Sequence, residues 1–181
     1  MLRLVIPLSE EKWDESKQEF VEPRTQILQL EHSLLSLSKW ESKWNKPFLS
    51  RTDMTYEETI DYIKCMTLTP NVDSYVYECL DASHISKVRN YILAPMTATT
   101  FSNDNGSKNS REIVTSELIY YWMIALNIPF DCQKWHLNRL ITLIKVCNIK
   151  NTPPKKRSKR DIMSRNAALN AARRKQLNTN G

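Results

Sequence analysis

Two glycines in 181 residues constrain this chain more than any other feature. A protein of this size averages about 7% glycine, so tight turns, phosphate-cradling loops and close backbone approaches to a ligand are scarce here. The deficit predicts a mainly α protein. It also leaves little from which to build a Walker loop, a dinucleotide fingerprint or a Gly-x-Ser-x-Gly elbow, and none is present in the sequence. Apolar material is ample: 41% of the residues are hydrophobic and five are tryptophan, and each large side chain fully buried contributes roughly 1.5–3 kcal/mol. The expectation is one compact helical domain of about six or seven helices, with a small N-terminal β-hairpin or meander and a basic C-terminal helical tail.

Local patterns place the elements. Leu2 to Ile6 and Thr25 to Leu30 are apolar or alternating runs that form the β element, within about residues 1–31. Leu34, Leu37, Trp40 or Glu41, and Trp44 then recur at helical spacing until Pro47. Thr55-Tyr56-Glu57-Glu58 is a capping box that opens a helix running to about Met66. Asn71–Leu80 and Ser83–Leu93 read as two shorter helices, the second ended by Pro95. Ser102 to Ser110 is a polar, turn-rich loop. Glu112 to Leu126 is apolar on nearly all sides and predicts a central helix surrounded by others. Asp131 is placed to cap a long helix to about Cys147.

Charge divides the chain. Lys155, Lys156, Arg157, Lys159, Arg160, Arg165, Arg173, Arg174 and Lys175 stand against one acid, Asp161. That segment carries +8 against +6 for the whole chain, which leaves the remainder at −2. Asn151-Thr152-Pro153-Pro154 marks the boundary, giving a domain over residues 1–154 and a tail over 155–181. Ser158 with Asp161 suggests a cap for the tail helix, whose apolar face is limited to Ile162, Met163 and Leu169.

Candidate chemistry is sparse. Cys65, Cys79, Cys132 and Cys147 form no Cys-x-x-Cys pair and read as reduced, mostly buried packing residues. Cys132 and His136 lie one helical turn apart, but a zinc site requires two more ligands, and a cysteine-protease reading lacks any signature. Glu10-Glu11 and Glu57-Glu58 read as solvated acids, with Glu58 serving the cap. The expectation is therefore a protein without catalytic residues, metal or cofactor. The N-terminal MLRLVIPLSEEKWDE turns acidic before a signal segment develops, and Leu118 to Phe130 is too short for the ~20 residues of a membrane span. A cytosolic protein with no membrane partner is expected.

Two features remain for binding. Trp122 and Trp135 read as core, whereas Trp40 and Trp44 share a helix face with Lys39 and Lys43 and are candidate partner anchors. The basic tail reads as a solvated arm or an acidic-protein contact in preference to a nucleic-acid site. The body is mildly acidic, and the tail lacks the aromatics on which single-stranded bases stack.

Long blocks of the sequence carry a resemblance. LEHSLLSLSKWESKWNKPFLS (Leu30 to Ser50), DYIKCMTLTPNVD (Asp61 to Asp73), APMTATTF (Ala94 to Phe101), ELIYYWMIALNIPFDCQKWHLNRLITLIKVCNIKN (Glu117 to Asn151) and RNAALNAARRK (Arg165 to Lys175) resemble the tail assembly chaperones of siphophages and related prophages. The resemblance implies a protein of the infected host's cytoplasm, absent from the mature virion. Such a protein coats the tape measure protein, keeps it soluble and leaves as tail tube subunits polymerise. The tape measure protein, the tail tube protein and a frameshifted longer form of the chaperone itself are the implied partners. The rival expectations are a nucleic-acid-associated phage protein using the basic tail and a head-to-tail or tail-completion component of the virion.

Overall fold

Alternation of apolar and polar residues at both ends of the N-terminal segment produces an antiparallel ribbon. In the computed structural model, which describes residues 1–9, 12–14, 19–21, 24–51, 53–101, 113–152 and 159–178, β1 (Leu2–Pro7) pairs with β4 (Thr25–Leu30), Leu4 opposite Leu28. The shorter pair β2 (Lys12–Asp14) and β3 (Glu19–Val21) lies between them in sequence. Leu4, Ile6, Leu28 and Leu30 turn to one face and are buried, while Arg3, Val5, Ile27 and Gln29 face out, as the two-residue strand repeat requires.

Helices form the rest: α1 (Leu34–Trp44), α2 (Tyr56–Met66), α3 (Ser74–Glu78), α4 (Ala82–Leu93), α5 (Ser116–Ala125), α6 (Leu137–Asn151) and α7 (Lys159–Leu177). This is the mainly α fold that the glycine deficit predicts, with the small N-terminal β element that the runs Leu2 to Ile6 and Thr25 to Leu30 predict. Where glycine would ordinarily end a helix in the left-handed region, asparagine does so. Asn45 follows α1 at φ 52°, Asn127 lies just beyond α5 at 53° and Asn178 follows α7 at 55°. Asparagine tolerates that conformation better than other residues with a Cβ.

Two hydrophobic clusters occupy the unit Met1–Asn148. One joins the ribbon to α2, α3 and α4 through Leu4, Leu28, Trp40, Tyr62, Met66 and Val88. The other joins α1 to α5 and α6 through Leu34, Leu37, Ile119, Met123, Leu137 and Leu140. Helix α1 feeds both, and Phe48 packs against both. Residues Ile149–Gly181 make a second unit, in which α7 is exposed from Met163 to Asn178.

Several expectations change. The helix expected from Asp131 is interrupted: Phe130–Lys134 is a 3₁₀ turn and α6 begins at Leu137. The cause is non-local, because His136 forms an isolated β-bridge with Ser33 and the Leu137 N–H donates to the His32 carbonyl at 2.7 Å. The helix expected from Asn71 is only the short α3. Helix α5 is not surrounded: Ser116, Ile119 and Met123 are buried, but Tyr121 is 63% and Ile124 61% exposed. Trp122 and Trp135, expected in the core, are half-buried at its margin. Of the cysteines only Cys132 is buried; all four are free thiols. The loop Ser102–Ser110, the Glu10-Glu11 pair, Pro153-Pro154 and Ser158 lie outside the described residues.

Candidate functional site

The α1–α2 contact explains the residues that the sequence nominated as partner anchors. Trp40 is a correction: it is fully buried, and its indole N–H donates to the Glu58 carbonyl at 3.0 Å. A residue spaced at i, i+3 and i+4 from other apolar residues falls on the core face, and Trp40 does so. Trp44 stacks against Trp40 with ring centroids 6.1 Å apart, and its indole N–H donates to Asp61 Oδ2 at 2.9 Å. Lys43 pairs with the other Asp61 oxygen. Three of the four nominated residues therefore join α1 to α2, and Lys39 is exposed.

Glu58 is also a correction. The capping box with Thr55 forms as the sequence spells it, Thr55 N–H donating to Oε2 and Glu58 N–H to Thr55 Oγ1. The carboxylate, however, is enclosed, with its side chain 1% exposed. Lys46 Nζ stands 2.7 Å and Arg51 Nη1 2.9 Å from Oε1. The Lys46 hydrogen bond, then the Thr55 amide and Arg51, hold the carboxyl at about 2, well below the usual carboxylate range. Its two cations are exhausted by this role.

Cys132 and His136 do not share a helix turn, because the 3₁₀ turn and the Ser33 bridge separate them. His136 instead meets His32, with ring centroids 5.1 Å apart. His136 Nε2–H donates to the Tyr91 carbonyl at 3.0 Å while Nδ1 accepts from Asn138 N–H at 3.3 Å, which fixes a neutral ring. Tyr62 Oη donates to His32 Nδ1 at 2.5 Å. Burial, assisted by His136, lowers the His32 pKa to about 3. Both ring nitrogens of His136 and Nδ1 of His32 are thus engaged with backbone and phenol partners. Among the described residues no group of three or more His, Cys, Asp or Glu side chains is placed to hold a metal.

Part of the surface that remains open is apolar. Two grooves flank the segment Phe48–Arg51. On one side Phe48 and Arg51 border a cleft of about 630 Å³ with Met54, Ile85, Arg89 and Ile92. On the other, Leu49 borders a groove of about 460 Å³ between α5 and α6, lined by Val114, Trp122, Ile141, Ile144 and Lys145. On α5 itself Tyr121 and Ile124 are exposed as well, about 100° and 160° around the helix from Trp122 and so on a separate face from this groove. Sequence reasoning missed this face because an all-round apolar helix reads equally as enclosed or as bared on one side. The missing consideration was how many helices are available to enclose it. Among the described residues α5 packs chiefly on α1.

The α5 helix is positioned by a residue far away in sequence. Glu41, buried on α1, accepts the Phe48 N–H at 2.9 Å through Oε1 and the Ser116 N–H at 2.7 Å through Oε2. Thr115 makes no side-chain cap on α5, so the Glu41 carboxylate satisfies the first amide of that helix and complements its dipole. One side chain thus ties the ridge between the grooves to the helix that forms one wall.

Of the tail residues nominated in the sequence, Lys155, Lys156 and Arg157 lie outside the described residues, whereas Lys159, Arg160, Arg165, Arg173, Arg174 and Lys175 are exposed on α7. Among the described residues no helix is long and apolar enough to cross a membrane. In comparisons with known proteins, no family model, curated protein or solved structure matches the chain.

Proposed function

We propose that this protein is a non-enzymatic tail assembly chaperone that binds the tape measure protein in the host cytoplasm and keeps it soluble until the tube assembles. The observation that carries the reading is apolar surface on two sides of α5, Trp122 lining the α5–α6 groove and Tyr121 and Ile124 bared on a separate face. It fits the chemistry of such a client. A long helical protein exposes apolar stripes before its tube exists, and an apolar groove receives such a stripe at i, i+3, i+4 and i+7 spacing without nucleotide or metal. The sequence blocks Leu30 to Ser50 and Glu117 to Asn151, which resemble the chaperone family, contain most of the ridge, most of α5 and all of α6.

Coexpression with the tape measure protein of the same genome, followed by pulldown and a solubility assay, tests the reading. Solubilisation and copurification are expected, and Ile124→Asp together with Ile141→Asp abolishes both while the variant remains folded by circular dichroism. A client that stays insoluble beside wild-type protein rejects the chaperone reading. Recovery of the chain in purified particles would instead make it a virion component.

A further inference from the structure

We propose that α7 is a duplex-DNA-binding helix that lies in the major groove; this inference is independent of the client-binding reading. It rests on how the cations are arranged. Counting about 100° per residue from Lys159, Arg174 lies at about 60°, Arg160 at about 100°, Lys175 at about 160°, Arg165 at about 240° and Arg173 at about 320°. No sector wider than about 80° lacks a basic residue. All six are exposed, and over Lys159–Leu177 they face a single acid in the sequence, Asp161.

This distribution selects the partner. A helix that lies on a membrane needs a continuous apolar face opposite its cations. On α7 the exposed apolar residues Met163, Leu169 and Leu177 are interrupted by Asn166, Asn170 and Arg173. An acidic protein surface would meet one side of the helix and leave the cations opposite without partners. A groove walled by phosphates on both sides meets cations over more of the circumference than a protein surface does, leaving only the outward side in solvent. The B-DNA major groove, about 12 Å wide, admits an α-helix, whereas the deep, narrow major groove of duplex RNA does not. Alanines 167, 168, 171 and 172 keep the middle of α7 slender. Asn166 and Asn170, four residues apart on one side, carry the amide that pairs with the adenine edge. Single strands are a poorer fit because α7 has no aromatic residue for bases to stack on.

Fluorescence anisotropy of a labelled mixed-sequence 20-bp DNA duplex with the full chain tests this, with a 20-bp RNA duplex, a 20-nucleotide DNA strand and polyglutamate as competitors. With about five phosphates neutralised, log affinity should fall with log salt at a slope of about −4 to −5, a loss of several hundredfold between 50 and 200 mM. Replacing Arg173, Arg174 and Lys175 by alanine retains a helix-forming residue and should reduce that slope by about 2–3 units. Ala168→Pro keeps every charge but breaks the helix, and should weaken duplex binding at least tenfold. Absence of duplex binding at 50 mM salt overturns the proposal. So does competition by polyglutamate, RNA duplex or single strand equal to that by DNA duplex, or full affinity in Ala168→Pro.

Discussion

Replacing Glu41 by leucine should destabilise the protein by about 3 kcal/mol, more than any exposed charge would cost. The carboxylate accepts two backbone amides, Phe48 at 2.9 Å and Ser116 at 2.7 Å, and is 7% exposed. Hydrogen bonds to a charged acceptor contribute roughly 1.5–3 kcal/mol each. The Ser116 residue is fully buried, so its amide keeps the whole penalty; Phe48 is half-buried, and water can restore part of its loss. Removing a buried charge and adding an apolar side chain returns some of that sum, which leaves about 3 kcal/mol. For a chain of this length each kcal/mol shifts Tm by roughly 2–4 °C, so Glu41→Leu should melt about 6–12 °C lower. Glu41→Gln retains one acceptor oxygen but turns its amide nitrogen toward the second N–H, and should lose about half as much. Thermal melts with urea titrations at pH 7 measure both. A loss in Glu41→Leu smaller than about 1 kcal/mol at unchanged m-value would refute the idea that this carboxylate holds α5 against the ridge.

Other predictions concern separate parts of the fold. His32 is neutral when folded, with a pKa near 3, against an ordinary value of 6.5, so the unfolded chain binds the extra proton. Stability is then complete above pH 6.5 and falls by about 1.4 kcal/mol per unit as pH drops toward 3. The unfolding free energy from urea titrations should therefore drop between pH 6.5 and 5, above the carboxylate range, by about 2 kcal/mol more in wild type than in His32→Gln, which keeps the slope of His136, a ring that burial also holds below its ordinary value. Glu58 adds a second phase, its stabilisation being lost as pH falls from 4.5 toward 2; Glu58→Gln should remove that phase. Met96 holds a left-handed φ of 49°, which strains a residue with a Cβ, so Met96→Gly should stabilise by about 0.5–1 kcal/mol in the same titrations. Ile124→Asp, on an exposed position, should change stability by less than about 0.5 kcal/mol while removing client binding.

What was legible in the sequence was local. The Thr55–Glu58 cap and the strand alternation of Leu4, Ile6, Leu28 and Leu30 depend on neighbours within a few residues or on a fixed period. They appear where the sequence puts them. What stayed hidden depends on partners far along the chain. Glu41 meets Ser116 across 75 positions, and His136 is drawn out of a helix by Ser33. Glu58 is enclosed because Lys46 and Arg51 fold back over it. The open face of α5 has the same origin: composition made the helix apolar on every side, and only the packing of α1, α5 and α6 decides which side remains bare.

Placing a photocrosslinking amino acid at Tyr121 or Ile124, and separately at the exposed Glu57 of α2, shows whether the client lies against α5. In cells that coexpress the tape measure protein, adducts with that client are expected from positions 121 and 124 and none from 57. Adducts from 57 but not from 121 or 124, or from none of the three while the client remains soluble, would contradict that placement.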